Sequence, residues 1–243
     1  AATAALVTKD NIANPLITAF GDAYRFCTSQ KFLEEKLWSN CSGVLIAKDV
    51  ILTAGHCIHS RTECTDKTIV FDYRNNEDIL RIQSNPQSYE YRCKKILYWS
   101  EPVDKKNLVD FALIQLDRPV LDRQPISLSK NKLNQKQDLF TVGHPLGLPM
   151  KVSAGFVSDL NAQFNGQSKN SFYQAQLLTH PGLSGGAVYD SSEQLVGLLV
   201  RGEANFESDD GRCLRAKECN LTDCPWAEVQ KLQVETIRKY LPR

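Results

Sequence analysis

The chain has 243 residues, 42% of them hydrophobic, enough to bury a sizeable core, and its 29 basic and 28 acidic side chains leave a net charge of +1. That balance excludes the strongly basic face of a dedicated nucleic-acid or anionic-membrane binder. No apolar run approaches the ~18 residues that would cross a bilayer, so no membrane span is expected.

Residues 1–10 lack the charged start and long apolar centre of a signal peptide, and the sequence reads as a mature or trimmed form. Residues 10–40 are mixed in pattern: Asn14-Pro15 is a breaker, and Gln30 to Trp38 has the look of a short helix. Two apolar strand-like runs follow, from Cys41 to Ala47 and from Val50 to Thr53, joined at Lys48-Asp49 and ending at His56 beside Cys57. Strand alternation returns at Thr68-Ile69-Val70-Phe71 and Ile96-Leu97-Tyr98-Trp99. Between them, Arg74 to Asp78 reads as a solvated polar loop, since it lacks the spacing of a calcium-binding loop.

Over residues 107–117 a single carboxylate, Asp110, interrupts an apolar strand, and a buried Asp is costly without hydrogen-bond partners. Arg118 to Pro125 carries two prolines and reads as the crossing between two halves. Phe140 to Lys151 is a strand followed by a Gly/Pro-rich turn; His144, ahead of Pro145, reads as structural, as do His59 and His180, although His180 lies near enough to Ser184 to touch substrate. The tail from Trp226 to Leu241 sets Val229, Leu232, Thr236, Ile237, Tyr240 and Leu241 at helical spacing behind Pro225 and predicts a helix.

The eight cysteines, Cys27, Cys41, Cys57, Cys64, Cys93, Cys213, Cys219 and Cys224, beside a single methionine point to an oxidising compartment and four disulfides. A zinc site at Cys213, Cys219 and Cys224 is the weaker alternative, because the spacings are not Cys-x2-Cys.

The stretch Gly182-Leu183-Ser184-Gly185-Gly186 carries the chemistry. A serine hydroxyl attacks a carbonyl only when a base takes its proton and nearby donors hold the oxyanion, and a glycine at 182 lets backbone N–H groups converge. Gly-x-Ser-x-Gly also fits the nucleophile elbow of α/β-hydrolases, whose chain order is Ser, acid, His. Here His56, His59, His144 and His180 all precede Ser184, which leaves the order His, Asp, Ser open.

Three blocks fill that order. Thr53-Ala54-Gly55-His56-Cys57, Asp110-Phe111-Ala112-Leu113-Ile114-Gln115-Leu116 and Gly182-Leu183-Ser184-Gly185-Gly186 resemble the signature blocks of chymotrypsin-like serine proteases, closest in style to bacterial trypsin-like and glutamyl-endopeptidase-like members, over roughly residues 35–241. The resemblance implies an all-β fold of two six-stranded antiparallel β-barrels, with a C-terminal α-helix on the second. Residues 1–120 would hold an N-terminal extension and the first barrel with His56 and Asp110; residues 121–243 would hold the second barrel with Ser184, and the helix.

It further implies a monomeric serine endopeptidase, secreted to the outside or the periplasm, acting on proteins or peptides with no cofactor, metal or nucleic acid. In that scheme Ser184 is the nucleophile, His56 the base and then the acid, Asp110 its orienter, and the N–H groups of Gly182 and Ser184 the oxyanion hole. A catalytically silent or latent binding protein, or an esterase, is the alternative on the same fold. The resemblance also implies a Cys41–Cys57 disulfide. Cys64 with Cys93 is suggested within the first barrel, leaving Cys27 a partner among the last three.

Five departures from that pattern matter. The floor of the primary pocket falls at Leu178, where trypsin's acidic residue is missing, with Thr179 beside it and Val200-Arg201-Gly202 as the opposite wall. Thr179 matches glutamyl endopeptidases, but Leu199 stands where they carry a histidine. The pocket therefore leans to an apolar or small residue, with Arg201 either binding an acidic side chain or facing solvent. Leu183 replaces the Asp that receives a new N-terminus in trypsin-like enzymes, and Ala1-Ala2-Thr3 lacks their Ile-Val-Gly. Val200 replaces a serine that supports the catalytic Asp, which shifts that support to backbone N–H groups.

Overall fold

The computed structural model describes residues 1–14, 16–101, 109–129, 131–161, 163–164, 167–168, 171–202, 206–209, 211–216 and 226–242. Two closed six-stranded antiparallel barrels make up the molecule. The first runs β1 (Thr3–Thr8), β2 (Cys41–Ala47), β3 (Val50–Thr53), β4 (Lys67–Phe71), β5 (Glu90–Ser100) and β6 (Phe111–Leu116), closed in the order β1-β2-β3-β6-β5-β4. The second is built from β7 (Asp138–Gly143) and β8 (Lys151–Asp159), then, past a two-stranded pair β9 (Gln163–Phe164) and β10 (Gln167–Ser168), from β11 (Phe172–Gln176), β12 (Ala187–Asp190) and β13 (Leu195–Gly202). A hairpin, β14 (Phe206–Asp209) and β15 (Cys213–Ala216), stands outside it, and β16 (Trp226–Lys231) completes it in the order β11-β16-β13-β12-β7-β8.

The all-β expectation therefore holds, and the hairpin turning at Lys48-Asp49 forms with Val44 opposite Leu52 and Leu45 opposite Ile51. These strands are buried on both faces, which is why they read as continuous apolar runs rather than alternating ones. One core cluster runs through both barrels, from Leu6, Leu45, Ile51 and Phe111 to Phe172, Ala187, Leu198 and Val200.

Several local expectations are corrected. Thr3–Thr8 is not an extension: β1 pairs with both β2 and β4 and closes the first barrel. Gln30 to Trp38 forms turns rather than a helix; the short helices lie earlier, at α1 (Lys9–Ala13) and α2 (Phe20–Ala23). Trp38 is fully buried, its Nε1–H donating to Asn11 O at 3.0 Å while Asn11 Nδ2 donates back to Trp38 O at 2.9 Å.

After α3 (Arg61–Asp66), the polar stretch 74–78 proves to be the start of a helix, α4 (Asn76–Ser84), followed by α5 (Pro86–Tyr89). Asn75 and Asp78 form a capping box, and Asp78 Oδ2 accepts the N–H groups of Arg74 at 2.8 Å and Asn75 at 3.0 Å. The acidic side chains there belong to the helix cap.

The tail is also reassigned. Trp226–Lys231 is the strand β16 between β11 and β13, and only Val234–Tyr240 is helical, α6. Ala227, Glu228, Val229 and Gln230 are all buried, so both faces of the segment pack, a demand that overrides its helix-like spacing. The helix reaches the first barrel too, since the Tyr240 ring lies 5.0 Å from that of Tyr98 in β5.

Among the described residues three disulfides join Cys41 to Cys57, Cys64 to Cys93 and Cys27 to Cys213. Each agrees with a pairing considered from sequence. With Cys213 bridged, the three-cysteine zinc reading loses a ligand; Cys219, Cys224 and Pro225 lie outside the described residues, as do Asn107 and Leu108.

Candidate active site between the barrels

His56 sits on a single 3-10 turn, Gly55–Cys57, directly after β3, and the Cys41–Cys57 bridge ties that turn to the start of β2. Trp99 Nε1–H donates to Gly55 O at 2.9 Å and fixes the turn against β5. Asp110 lies just before β6 with its side chain fully buried. Its Oδ2 is 3.0 Å from His56 Nδ1, and its Oδ1 accepts the His56 backbone N–H at 3.2 Å. A carboxylate can only accept, so Nδ1 carries the proton and Nε2 presents a lone pair on the side away from Asp110.

Two neighbours of Asp110 were invisible in the sequence. Gln230 Oε1 accepts the Asp110 backbone N–H at 2.8 Å, while Gln230 Nε2 donates to Ser171 O at 2.8 Å and Lys231 O at 2.9 Å. Arg201 brings Nη2 to 3.6 Å from Asp110 Oδ2 and Nη1 to 3.0 Å from Glu228 Oε2. Backbone N–H support for the carboxylate is thus present, as expected with Val200 in place of a hydroxyl, and a guanidinium adds to it. The signal for Gln230 and Glu228 was a buried polar pair in the tail, but it shows only once that tail is recognised as a strand.

Ser184 is held by consecutive tight turns. Pro181-Gly182 occupies the centre of a turn closed by Leu183 N–H to His180 O at 3.2 Å, with Gly182 at φ +87°, the left-handed value such a turn requires of its third residue. Gly185 has φ +82°, and a Cβ there would stand 2.0 Å from Ser42 O of the first barrel, so only glycine fits. The Ser184 carbonyl accepts Ser42 N–H at 2.7 Å, and Ser42 Oγ donates to Gly182 O at 3.1 Å. Among the described residues the N–H groups of Gly182 and Ser184 donate to no protein acceptor. The Ser184 hydroxyl donates to Val200 O at 3.5 Å, and no hydrogen bond joins it to His56.

The residues assigned to the primary pocket divide. Thr179 is buried with Oγ1 unpartnered, and a Cβ on Gly202 would lie 1.9 Å from that atom, so the two walls touch there. Val200 is buried, and Arg201 is drawn toward Glu228 and Asp110. Leu178 instead lines an apolar cavity of about 200 Å³ with Phe20, Phe32, Leu146, Leu183 and Phe206, apart from Ser184 and the 200–202 wall.

His180 stacks on Phe206 at 4.8 Å, and burial lowers its pKa to about 4, which keeps it neutral near pH 7. His59 pairs with Glu101 at 2.7 Å on the exposed side of the His56 turn. Cys27, Cys213 and Asp209 cluster closely, but both sulfurs are committed to a disulfide.

A model of the trypsin-like peptidase domain matches residues 41–198. "Protease Do-like 1, chloroplastic" from Arabidopsis thaliana is 30% identical over 94 residues, 37% of this chain and 21% of that protein, so the shared stretch spans about a fifth of the relative. Among solved structures, the inactive form of a serine-to-alanine mutant of Rv3671c from M. tuberculosis H37Rv aligns with a TM-score of 0.50 at 14% identity, over 84% of this chain and 83% of that one, a likeness of fold.

Proposed function

The chain belongs to the trypsin-like peptidase family, and we propose that it is a serine endopeptidase working through Ser184, His56 and Asp110. The observation that carries this reading is the paired His56 and Asp110 beside a Ser184 turn whose two N–H groups, at Gly182 and Ser184, are left without acceptors. In the reaction the Ser184 hydroxyl leaves the Val200 carbonyl, gives its proton to His56 Nε2 and attacks the scissile carbonyl. The two N–H groups take the oxyanion, and the His56 imidazolium then protonates the leaving amine. Hydrogen bonds of this kind are often open before substrate binds. Residues 1–120 and 121–243 act as one unit, each barrel supplying part of the triad.

For the residue before the cut, contact between Thr179 and Gly202 supports a small side chain. Arg201 is engaged by Glu228 and Asp110, which speaks against its holding an acidic substrate group. Three disulfides among the described residues support secretion or a periplasmic location, and no described helix is long and apolar enough to cross a membrane.

Two observations favour a second reading. The Ser184 hydroxyl turned to Val200 and the touching pocket walls are what a latent form would present.

The experiment is labelling with a fluorophosphonate probe and turnover of casein, with the wild type beside Ser184→Ala. We expect labelling of the wild type alone and a ~10⁶-fold lower kcat in the variant, with its fold intact. Casein turnover that survives in Ser184→Ala sinks the triad, and a wild type that neither labels nor cleaves selects the latent reading.

A further inference from the structure

Asp110 and Glu228 are both carboxylates inside the protein, with side-chain exposures of 0% and 2%, and Arg201 stands between them. The register between β13 and β16 slips between Leu199 and Arg201, which brings Arg201 opposite Glu228. Two residues further along β16, Gln230 holds the Asp110 backbone. Two side chains of one strand, Glu228 and Gln230, thus grip the cation that faces the Asp110 carboxylate and the backbone of Asp110.

Buried carboxylates are unfavourable unless opposed by charge and hydrogen bonds, and a guanidinium's planar fork can serve two of them at once. Glu228 needs a reason of its own, because a cation placed against Asp110 alone would weaken the carboxylate's hold on a protonated imidazole. We propose that Arg201 and Glu228 are a positioning pair for the triad: Arg201 fixes the Asp110 carboxylate, and Glu228 offsets its charge so that Asp110 keeps its full attraction for the His56 imidazolium. Counting these four groups, two carboxylates and one guanidinium come into balance when His56 gains its proton, the state in which Ser184 has attacked. This inference rests on the peptidase reading for its kinetic readout only.

The pair acts through charge, so its two members leave opposite signatures. Removing Arg201 leaves two anions near His56 and favours its protonation; removing Glu228 leaves the guanidinium's charge less offset beside Asp110 and disfavours it. In Arg201→Met the acid limb of the kcat/KM profile moves up by about half to one pH unit, and in Glu228→Gln it moves down by a similar amount, in line with a charge acting through one intervening group. Both changes lower kcat more than they raise KM, about tenfold in Arg201→Met. Arg201→Lys keeps the charge without the fork, leaving the limb near its wild-type position while kcat falls. The other described ionic pair at this turn, His59 with Glu101, is untouched in every variant.

Titration of the His56 ring by NMR, in a Ser184→Ala background with the signal assigned by its loss in His56→Gln, reads the same shifts without turnover. Opposite displacements in Arg201→Met and Glu228→Gln support the pair. No displacement in either, or displacement in one direction for both, overturns it and leaves a structural ion pair. Should Arg201→Met fail to fold, a Glu228→Gln titration that does not move downward is sufficient to overturn it. Opposite shifts in the two variants, beside a wild type that cleaves nothing, would remove the peptidase reading and leave the electrostatic pairing standing.

Discussion

At Leu183 the chain sets an apolar side chain, 3% exposed, immediately ahead of Ser184 and within the cluster of Leu139, Val157, Val188 and Leu199. The Gly182–Ser184 turn is therefore held from behind by packing, in a position where the resembled enzymes use an ion pair. Truncation opens a cavity under the turn: Leu183→Ala should cost about 2–5 kcal/mol of stability and slow fluorophosphonate labelling as the N–H groups of Gly182 and Ser184 lose their fixed orientation. A denaturant titration and a labelling time course check both, and an unchanged labelling rate in a folded variant would mean that the Ser42 hydrogen bonds fix the turn unaided. At this scale the sequence was informative wherever candidate residues sit in short contiguous blocks, as at His56 and Asp110, which the fold pairs, and at Ser184. It was silent on Gln230, Glu228 and the direction of Arg201, because those meetings depend on strand register, and a slip of one residue turns a side chain to the other face.

Elements with a hydrophobic run and a clear turn were legible: β2 and β3 around Lys48-Asp49, β4, and β6. The first and last barrel strands were not. Thr3–Thr8 is buried along its length, so it shows no alternation, and Trp226–Lys231 buries polar Glu228 and Gln230 inside the protein, a placement only their tertiary partners justify. The segment before β2 was unreadable for another reason, since what orders it comes from the far end of the chain. Cys27 N–H donates to Leu214 O at 2.9 Å, Leu214 N–H to Arg25 O at 2.7 Å and Ala216 N–H to Gln30 Oε1 at 2.7 Å, and the Phe26 and Phe206 rings lie 5.2 Å apart. The Cys27–Cys213 bridge closes that contact across a separation of 186 residues. Replacing both cysteines by serine should lower stability by about 2–4 kcal/mol, with amide exchange rising first around residues 19–38 and in the 206–216 hairpin. Exchange that rises evenly over the barrels would show that the bridge stabilises the whole fold rather than this clamp.

The two barrels meet at Ser42 and His144. Ser42 binds the Ser184 turn through its backbone and hydroxyl, and its Oγ also accepts the His144 N–H at 2.8 Å. The His144 ring stacks on Tyr73 of the first barrel at 5.6 Å, and its Nδ1–H donates to Leu148 O at 3.1 Å, so the sequence expectation of a structural histidine is met by a joint between barrels. Complete burial pushes the His144 pKa down from 6.5 to about 4, only partly opposed by the Leu148 hydrogen bond. Above about pH 6.5 folded and unfolded chains both hold it neutral, and its packing contributes in full. Between about 6.5 and 4 the unfolded chain takes up a proton that the folded one refuses, so stability falls by about 1.4 kcal/mol per pH unit from this residue and levels off below the folded value. His180, less enclosed, adds a smaller loss of the same sign. Other groups titrate in this range, and a comparison of variants cancels them: His144→Phe keeps a ring on Tyr73 but cannot take a proton. It should be less stable than wild type at pH 7.5, where it lacks the Leu148 hydrogen bond, and should close or reverse that gap by pH 4.5. Urea titrations at the two pH values decide it, since a gap that stays constant would place the acid sensitivity elsewhere. If the gap closes, fluorophosphonate labelling of the wild type should decline over the same pH window more steeply than in His144→Phe, because the joint that loosens is the one that carries the Ser184 turn.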